Sequence, residues 1–317
     1  MSRPWLGLAL GWAVSLLGCF VAGVYFQHRH ATRQLQQLVQ QDAYAYYISP
    51  KIYSAFSFFA TQDEQMHHVQ RIMKYGFPGL DDVRIYSDFV LSYDRRNRIA
   101  HWVCEHLQKA TLEGRPGVSR ASATYRPDLS VPSAFRSSLA DYRHSGFDRG
   151  HLAAAGNHRR EQLHCNETFF LTNIAPQIHR GFNSGAWNKL ENYVRQLTQR
   201  FGSVYVCTGP LYKPRATQNT SKWTLEYQMI GSNMVAVPTH YFKVITIESR
   251  LVLGKPYMEA YVLPNASIPA KVTLRAFLVD IREIEHYAGL KFFDGLRRSM
   301  LFGSNYPSKS QVFRDFA

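Results

Sequence analysis

The run Asp148-Arg149-Gly150-His151 combines side-chain types that could hydrolyse a phosphodiester. A neutral imidazole at His151 can take a proton from water near neutral pH. The planar guanidinium of Arg149 can bind a phosphate through paired hydrogen bonds. Gly150 would let the backbone pass close to a ligand or metal ion, and Asp148 could be a ligand, an orienting partner or a turn cap. The run therefore nominates His151 as a general base and Arg149 as the group that stabilises phosphate charge.

Two further polar residues could bring a divalent metal to this run. Asn183 precedes a helical pattern, where an asparagine is by default an N-cap; its amide oxygen also suits Mg²⁺, an ion that keeps most of its own waters. Glu191 lies eight residues further on, about 12 Å along a helix. We therefore predict Asn183 as a direct ligand of Mg²⁺ (with Mn²⁺ as the alternative ion) and Glu191 as a ligand through water. A surface ion pair with Arg195 is the other interpretation of Glu191.

The chain is strongly basic, with a formal net charge of +14 over 317 residues. Such proteins commonly bind nucleic acid or an anionic membrane surface. Cationic side chains concentrate near the run described above: Arg143, His158, Arg159, Arg160, His179 and Arg180. We predict that Arg149, Arg143, Arg159 and Arg180 contact phosphates without reading bases. A solvated basic loop is the alternative.

The four cysteines are scattered, and none forms a CxxC pair or a Cys/His metal spacing. This argues against a disulfide framework and against a structural zinc site. Cys104 and Cys207 lie in apolar, strand-like contexts and are expected to be buried thiols.

Residues 5–26 form a run of 22 residues without a charge, which is long enough for a bilayer-spanning helix. We interpret residues 1–30 as a membrane anchor or an uncleaved mitochondrial-type signal anchor. A removed targeting peptide and a secretory signal are the alternatives. Residues 31–71 are expected to be a juxtamembrane linker, and 72–317 the folded domain. The sequons at Asn166, Asn219 and Asn265 arise often enough by chance to say little about the compartment.

The elements that must position these residues can be read from hydrophobic patterning. Ranges 89–93 and 99–106 are typical of a β-hairpin around the polar turn DRRNR. A long loop over 110–146 leads to Asp148. Range 168–173 is expected to be a short strand, and 187–200 a helix with apolar residues spaced 3, 4 and 3 apart. Strands over 204–208, 236–247 and 258–263 and a helix over 280–288 complete one α+β domain. Its sheet is expected to be mixed and mostly antiparallel.

Several motifs in order resemble one enzyme family. DRGHLAAAGNH, FFLTNIAPQ, FNSGAWNKLENY and VYVCTGPLY resemble the DNA/RNA non-specific endonucleases of the ββα-metal class, and within them the mitochondrial branch. The resemblance covers roughly residues 70–295. It implies a ββα-metal active-site motif in which His151 is the general base, Asn183 the sole direct Mg²⁺ ligand, Glu191 the holder of a metal-bound water and Arg149 the phosphate-stabilising cation.

The same resemblance implies a biological setting. It implies DNA and RNA as substrates, 5′-phosphate ends, a homodimer, and residence in the mitochondrial intermembrane space or on the inner membrane through the N-terminal segment. Relocation to the nucleus is a further expectation of this kind.

The chain also departs from the family pattern. Five residues, 178–182, separate Gln177 from Asn183 where the family has four, and Gly181 is expected to absorb the extra one. The residues after Asn183 are Ser184 and Gly185, where the family commonly has Gln first. Ala123 stands where relatives carry a Cys or an active-site Arg, so Arg120 or Arg126 would have to substitute. These departures leave open a catalytically weak, membrane-associated relative that binds nucleic acid.

Overall fold

A computed structural model describes residues 62–217, 222–248 and 256–292. The α-helices of those ranges are α1 (Gln62–Ile72), α2 (Lys109–Leu112), α3 (Leu139–Tyr142), α4 (Gln162–Glu167), α5 (Asn188–Arg200) and α6 (Ile281–Ala288). The strands are β1 (Val83–Ile85), β2 (Phe89–Asp94), β3 (Ile99–Leu107), β4 (Asp148–His151), β5 (Ile174–Gln177), β6 (Ser203–Leu211), β7 (Arg215–Ala216), β8 (Trp223–Thr224), β9 (Met229–Ile230), β10 (Val235–Ala236), β11 (His240–Glu248) and β12 (Tyr257–Pro264).

Six strands form one sheet in the order β1-β2-β3-β6-β11-β12, and every neighbouring pair in it is antiparallel. The predicted hairpin, the predicted antiparallel character and the α+β class are therefore confirmed. The long strand predicted over 236–247 is interrupted: Val235–Ala236 pairs with β9, and β11 begins only at His240. Pro238 lies in the gap, where it has no N–H to donate to a ladder.

Both faces of this sheet are covered, so its central strands are buried along most of their length. Alternate residues of a strand face opposite sides. On one side, Val103, Val206 and Ile245 join a core cluster that also contains Trp187 and Leu190. On the other side lie Trp102, Cys104, Cys207 and Phe242, all buried. Cys104 and Cys207 are free thiols directly opposite each other in the β3–β6 register, which confirms the expectation of buried thiols.

Helix α5 carries the second half of the predicted site and packs by one face. Leu190, Val194 and Leu197 are almost fully buried, and each such side chain contributes about 1.5–3 kcal/mol through removal from water. The helix ends where Phe201 adopts an extended conformation. Its predicted range is therefore correct to within one residue, and the apolar face fixes its rotation against the sheet.

One predicted element is placed differently by the structure. Range 168–173 is not a strand, because the amide of Asn173 donates to the carbonyls of Ala153 and Thr168 and holds the chain in a 3₁₀ turn over Leu171–Asn173. Strand pairing starts one residue later, at Ile174. Within the predicted linker, α1 is helical, with Val69 and Ile72 buried.

Helix α6 confirms its prediction at both ends, since Asp280 caps the N-terminus and Gly289 follows with φ of 65°. Among the described residues, no helix has the length and apolar character needed to cross a bilayer. The predicted anchor at 5–26 lies outside the described residues.

Candidate active site

The DRGH run forms β4, which pairs antiparallel with β5 in a separate two-stranded hairpin. The chain then passes through an irregular helical segment, His179–Trp187, into α5. This β–β–α succession is the predicted active-site motif. Because strand side chains alternate in direction, Arg149 and His151 share a face. Both lie against the same ring, Tyr125, with the Arg149 guanidinium 4.4 Å and the His151 ring 5.5 Å from its centroid.

Gly150 has a packing role in this hairpin, and the close approach to a ligand or metal ion stays a prediction. A Cβ at this position would lie 2.1 Å from the Cδ of Gln177, whose side chain is fully buried behind the strand. Real Cβ atoms do not come that close, so only glycine leaves room for Gln177. The absence of a side chain lets Gln177 pack directly against the backbone of β4, next to His151.

His151 lies in an apolar box. Its ring packs edge-on against Phe169 at 4.7 Å between centroids, and only 8% of the residue is exposed. The Nε2 atom is buried and has no hydrogen-bond partner among the described residues. Burial, together with the smaller effect of the positive charges of Arg120 and His158, lowers the pKa of His151 to about 3. The ring is therefore neutral near pH 7, in the form that can accept a proton.

Asp148 orients Asn183. The Nδ2 group of Asn183 donates to Oδ2 of Asp148 at 2.7 Å, and the same oxygen accepts from Nδ1 of His179 at 2.7 Å. Because the amide nitrogen must face the carboxylate, the Oδ1 atom of Asn183 points away from it as a free acceptor. Of the roles open to Asp148, the orienting one fits. Asn183 is not a helix N-cap, since α5 begins at Asn188 and the side chain binds Asp148.

Glu191 lies in the first turn of α5 and is half-buried. Burial raises the pKa of its carboxyl, and the charges of Lys243 and Arg195 oppose that rise. The guanidinium of Arg195 donates to Asn157 and Asn192 instead of forming the predicted alternative ion pair. The two-turn separation expected between Asn183 and Glu191 does not hold, because Gly185 has non-helical φ and ψ and breaks the helical path between them.

Comparison with known proteins decides the family. The sequence profile of the DNA/RNA non-specific endonucleases matches residues 68–299. The chain belongs to the DNA/RNA non-specific endonuclease family. It is 47% identical to mitochondrial Endonuclease G of Caenorhabditis elegans over 238 residues, which are 75% of this chain and 76% of that protein. Identity to the human mitochondrial Endonuclease G is also 47%, over 70% of this chain and 72% of the relative.

The fold agrees with this assignment. The crystal structure of an EndoG/EndoGI complex superposes with a TM-score of 0.72 and 51% identity, over 74% of this chain and 94% of that one. The resemblance stated from the sequence is thus confirmed, and the protein is a nuclease, a hydrolase of nucleic acid.

The segment before Asn183, which the sequence analysis expects to be one residue longer than in the family, contains a glycine turn. Gly181 has φ of 81°, and a Cβ there would lie 2.6 Å from the backbone nitrogen of Ile268. The start of the same segment is held by Asn265, whose Oδ1 accepts from the backbone N–H of Ile178 at 2.9 Å and whose Nδ2 donates to the carbonyls of Pro176 and Pro238. The longer segment is therefore anchored at both ends of its turn.

The structure separates the two arginines, Arg120 and Arg126, that the sequence analysis offered as substitutes at Ala123. Ala123 packs beside a small apolar cluster of Ala155, Cys165 and Phe169. The guanidinium of Arg120 lies 5.9 Å from the Phe169 ring and acts electrostatically on His151. Arg126 instead stacks on Phe170 at 4.4 Å. Of the two predicted substitutes, Arg120 is the one placed beside the base.

The predicted phosphate-binding cations divide into two groups. Arg143, Arg149, Arg159 and Arg180 are exposed, as contacts with a polyanion require. His158, which the sequence grouped with the surface cations, is 1% exposed. Its two ring nitrogens face Asp88 and Glu105 rather than solvent, so His158 is a buried charge beneath the site.

Sequence reasoning missed four residues that shape the site: Tyr125, Asn157, Glu105 and Lys243. The Tyr125 hydroxyl donates to the carbonyl of Arg149 at 3.2 Å. The Tyr125 ring also contacts the side chains of Arg149 and His151. A signal existed for two of the others. Glu105 and Lys243 are charged residues at inward positions of apolar strands, where a charge needs partners.

Proposed function

We propose that this nuclease is a metal-dependent, sequence-tolerant endonuclease that hydrolyses DNA and RNA to 5′-phosphate ends, with His151 as the general base. The observation that carries this proposal is the state of His151. Its ring is neutral near pH 7, and it shares the Tyr125 ring with the guanidinium of Arg149. It stands on the hairpin whose first residue, Asp148, orients Asn183.

The donor set fits a hard ion held by few protein atoms. Asn183 offers one free amide oxygen, and within the described residues no group of three or more His, Cys, Asp or Glu side chains is arranged to hold a metal. A site with few protein ligands suits Mg²⁺, or Mn²⁺ as its substitute, because Mg²⁺ retains several of its own waters. We infer that Asn183 would bind the ion directly and Glu191 through water. When bound, the ion supplies positive charge to the phosphorane and to the leaving 3′ oxygen.

The chain's own residues account for the remaining chemistry. The imidazole of His151 accepts a proton from the water that attacks phosphorus, and the bond to the 3′ oxygen breaks as the bond to the water oxygen forms. This leaves the phosphate on the 5′ end. Arg149, held flat on Tyr125, is placed to bind the phosphate oxygens. Arg120 adds a second positive charge on the same side of His151.

Low sequence preference follows from the kind of contact available. Arg143, Arg159 and Arg180 are exposed guanidinium groups, which bind phosphate and carry no base information by doing so. Such contacts release counterions, so binding should weaken steeply with salt. DNA and RNA share the phosphate backbone, which supports activity on both.

The relatives named above are mitochondrial proteins by name. We propose a mitochondrial location for this chain as well, in the intermembrane space or anchored on the inner membrane through the N-terminal segment. Nuclear relocation and a homodimeric state belong to the same proposal. Fractionation of mitochondria with protease protection tests the location, and light scattering tests the dimer.

Degradation of plasmid and of RNA with Mg²⁺ tests the reaction itself. The wild type, His151→Ala and a matched control, His67→Ala, are compared after each is shown to be folded; His67 is exposed on α1. We expect the His151 variant to lose about 10²- to 10⁴-fold of the cleavage rate, and the control to retain it. If the wild type binds DNA but cuts no faster than His151→Ala, the weak nucleic-acid-binding relative suggested by Ala123 is the better description.

A further inference from the structure

A buried carboxylate beneath the site has no role in the reaction described so far. Glu105 lies on the central strand β3 and is 1% exposed. Its Oε1 atom accepts from Nδ2 of Asn157 at 2.9 Å and from Nε2 of His158 at 2.9 Å. Both donors belong to the segment that follows β4. Glu105 thus binds the chain six and seven residues after the general base His151.

The charge of His158 compensates for the burial of the Glu105 carboxylate. Its Nδ1 faces Oδ2 of Asp88 at 3.3 Å, so carboxylates lie against both of its ring nitrogens. Burial alone would lower the pKa of His158, but the hydrogen bonds to Asp88 and Glu105 outweigh it and raise the pKa to about 9. A charged imidazole next to Glu105 offsets the cost of burying that carboxylate.

The contact continues from Asn157 to the helix that carries Glu191. Because Nδ2 of Asn157 faces Glu105, its Oδ1 faces the other way, and there it accepts from the Arg195 guanidinium at 3.0 Å. Gly156 leaves room for this approach, since a Cβ there would lie 3.3 Å from the same guanidinium nitrogen. Arg195 stands one helical turn after Glu191 and acts electrostatically on its carboxyl. Asn157 is 5% exposed, so water cannot easily replace either bond.

We propose that the bridge Glu105–Asn157–Arg195 is a positioning device that sets the placement of Glu191 relative to His151. One side of the bridge holds the segment after β4, and the other holds the first turns of α5. Glu105 and Asn157 are positioning residues, because they act through the groups they hold. The inference rests on the proposed role of Glu191 near the metal, where residues that orient such groups typically affect metal affinity or activity by about 10- to 100-fold.

The bridge can be broken by one substitution and rebuilt by a second that restores the total charge. Asn157→Asp places a second carboxylate against Glu105 while keeping an acceptor for Arg195. The double variant Glu105→Gln with Asn157→Asp restores a donor opposite an acceptor, because the new amide nitrogen can donate to the introduced carboxylate while its oxygen accepts from His158. Asn192→Asp is the matched control: it is the same substitution against the same guanidinium, but Asn192 is exposed and does not touch Glu105.

The four proteins are assayed at pH 8, and rates are expressed per folded molecule. For Asn157→Asp we expect kcat to fall by about 10- to 100-fold with KM for DNA unchanged within about twofold. The double variant should return to within about threefold of the wild type, and Asn192→Asp should lose less than about threefold. Mn²⁺ affinity, measured by calorimetry without substrate, should fall and recover in the same order.

Wild-type kcat in folded Asn157→Asp would overturn the proposal, as would a folded double variant that stays as slow as the single one. If Asn157→Asp does not fold, Asn157→Ala removes the bridge without adding a charge, and the same fall in kcat at constant KM is required of it. Comparison of the wild type with His151→Ala separates this inference from the proposed function. Should the wild type not cleave, the proposed function fails, and the Mn²⁺ affinities still decide whether the bridge positions the metal side of the site.

Discussion

His151 and His158 stand seven residues apart in the sequence. Both are buried, and they have opposite proton chemistry. His151 lies among aromatic rings with an unpartnered nitrogen, and its pKa is lowered to about 3. His158 lies between two carboxylates, and its pKa is raised to about 9. Burial disfavours the charged form at both places; the partners decide whether it survives.

The comparison separates two layers of the molecule. The upper layer consists of the apolar surroundings that keep His151 neutral, as the proposed base requires, and the lower layer is a set of buried charges that binds the segment after β4. The two layers are coupled, because the charge on His158 contributes to the lowered pKa of His151. Four experiments can break or sharpen this contrast.

The largest effect is expected when the lower layer loses its central carboxylate. Glu105→Ala leaves a charged His158 without its closer partner, and breaking a buried ion pair in this way costs about 3–5 kcal/mol in the free energy of unfolding. Urea denaturation at pH 7 measures it. His151→Gln is the reference and should cost less than half as much, because the described structure gives that ring no hydrogen bond to lose. Equal costs for the two variants would mean that the layers are not energetically distinct.

The raised pKa of His158 predicts a loss of stability at alkaline pH. A folded-state pKa of about 9 against an unfolded value near 6.5 means that the stabilisation is complete below pH 6.5 and disappears as pH rises through 9. The wild type should therefore lose about 2–3 kcal/mol between pH 6 and pH 10 relative to His158→Gln. Denaturant midpoints across that range give the difference. Parallel curves for the two proteins would show that His158 does not titrate with the folded state.

The lowered pKa of His151 predicts the reverse behaviour on the acid side. The unfolded chain takes up a proton near pH 6.5 while the folded ring stays neutral down to about 3, so the contribution is full above 6.5 and is lost as pH falls. At pH 5 the wild type should have lost about 2 kcal/mol relative to His151→Gln. Thermal unfolding of both proteins between pH 7 and 5 measures it. If the wild type loses no more stability than His151→Gln between pH 7 and 5, the folded ring titrates as a ring in contact with water would.

The smallest effect is expected at the exposed edge, where neither layer is disturbed. Arg180→Ala should lower the apparent DNA affinity by less than about fivefold, equally for different sequences. It should also reduce the slope of log affinity against log salt by about 1. Fluorescence anisotropy at several salt concentrations, with a catalytically inactive background such as His151→Ala, gives both numbers. A sequence-dependent loss would contradict a pure phosphate contact.

Much of the sheet could be predicted from the sequence, because apolar alternation and turn residues reflect local forces. The hairpin of β2 and β3, the edges of α5 and the capped helix α6 all follow from such patterns. The nomination of His151, Arg149 and Asn183 rested on motif and resemblance; the structure places Arg149 and His151 against the Tyr125 ring and joins Asn183 to Asp148.

The rest depended on contacts between distant parts of the chain. Range 168–173 was apolar enough for a strand, yet Asn173 binds backbone atoms near Ala153 and forces a turn. His158 looked like one more surface cation, because the carboxylates that bury it come from residues 88 and 105. The helical estimate of the spacing between Asn183 and Glu191 also failed, because the backbone at Gly185 is not helical. The errors at 168–173 and at His158 arose where a tertiary partner outweighed local preference.

The hydrogen bonds of Asn265 have a consequence for glycosylation at its sequon. Its side-chain nitrogen donates to the carbonyls of Pro176 and Pro238, so both amide hydrogens are in use once the loop before Asn183 is built. N-glycosylation at this sequon would replace one of those two hydrogens with a sugar. A glycan on Asn265 would therefore remove one of the two hydrogen bonds that its nitrogen donates, and the β5 end before Asn183 would be held by one bond fewer.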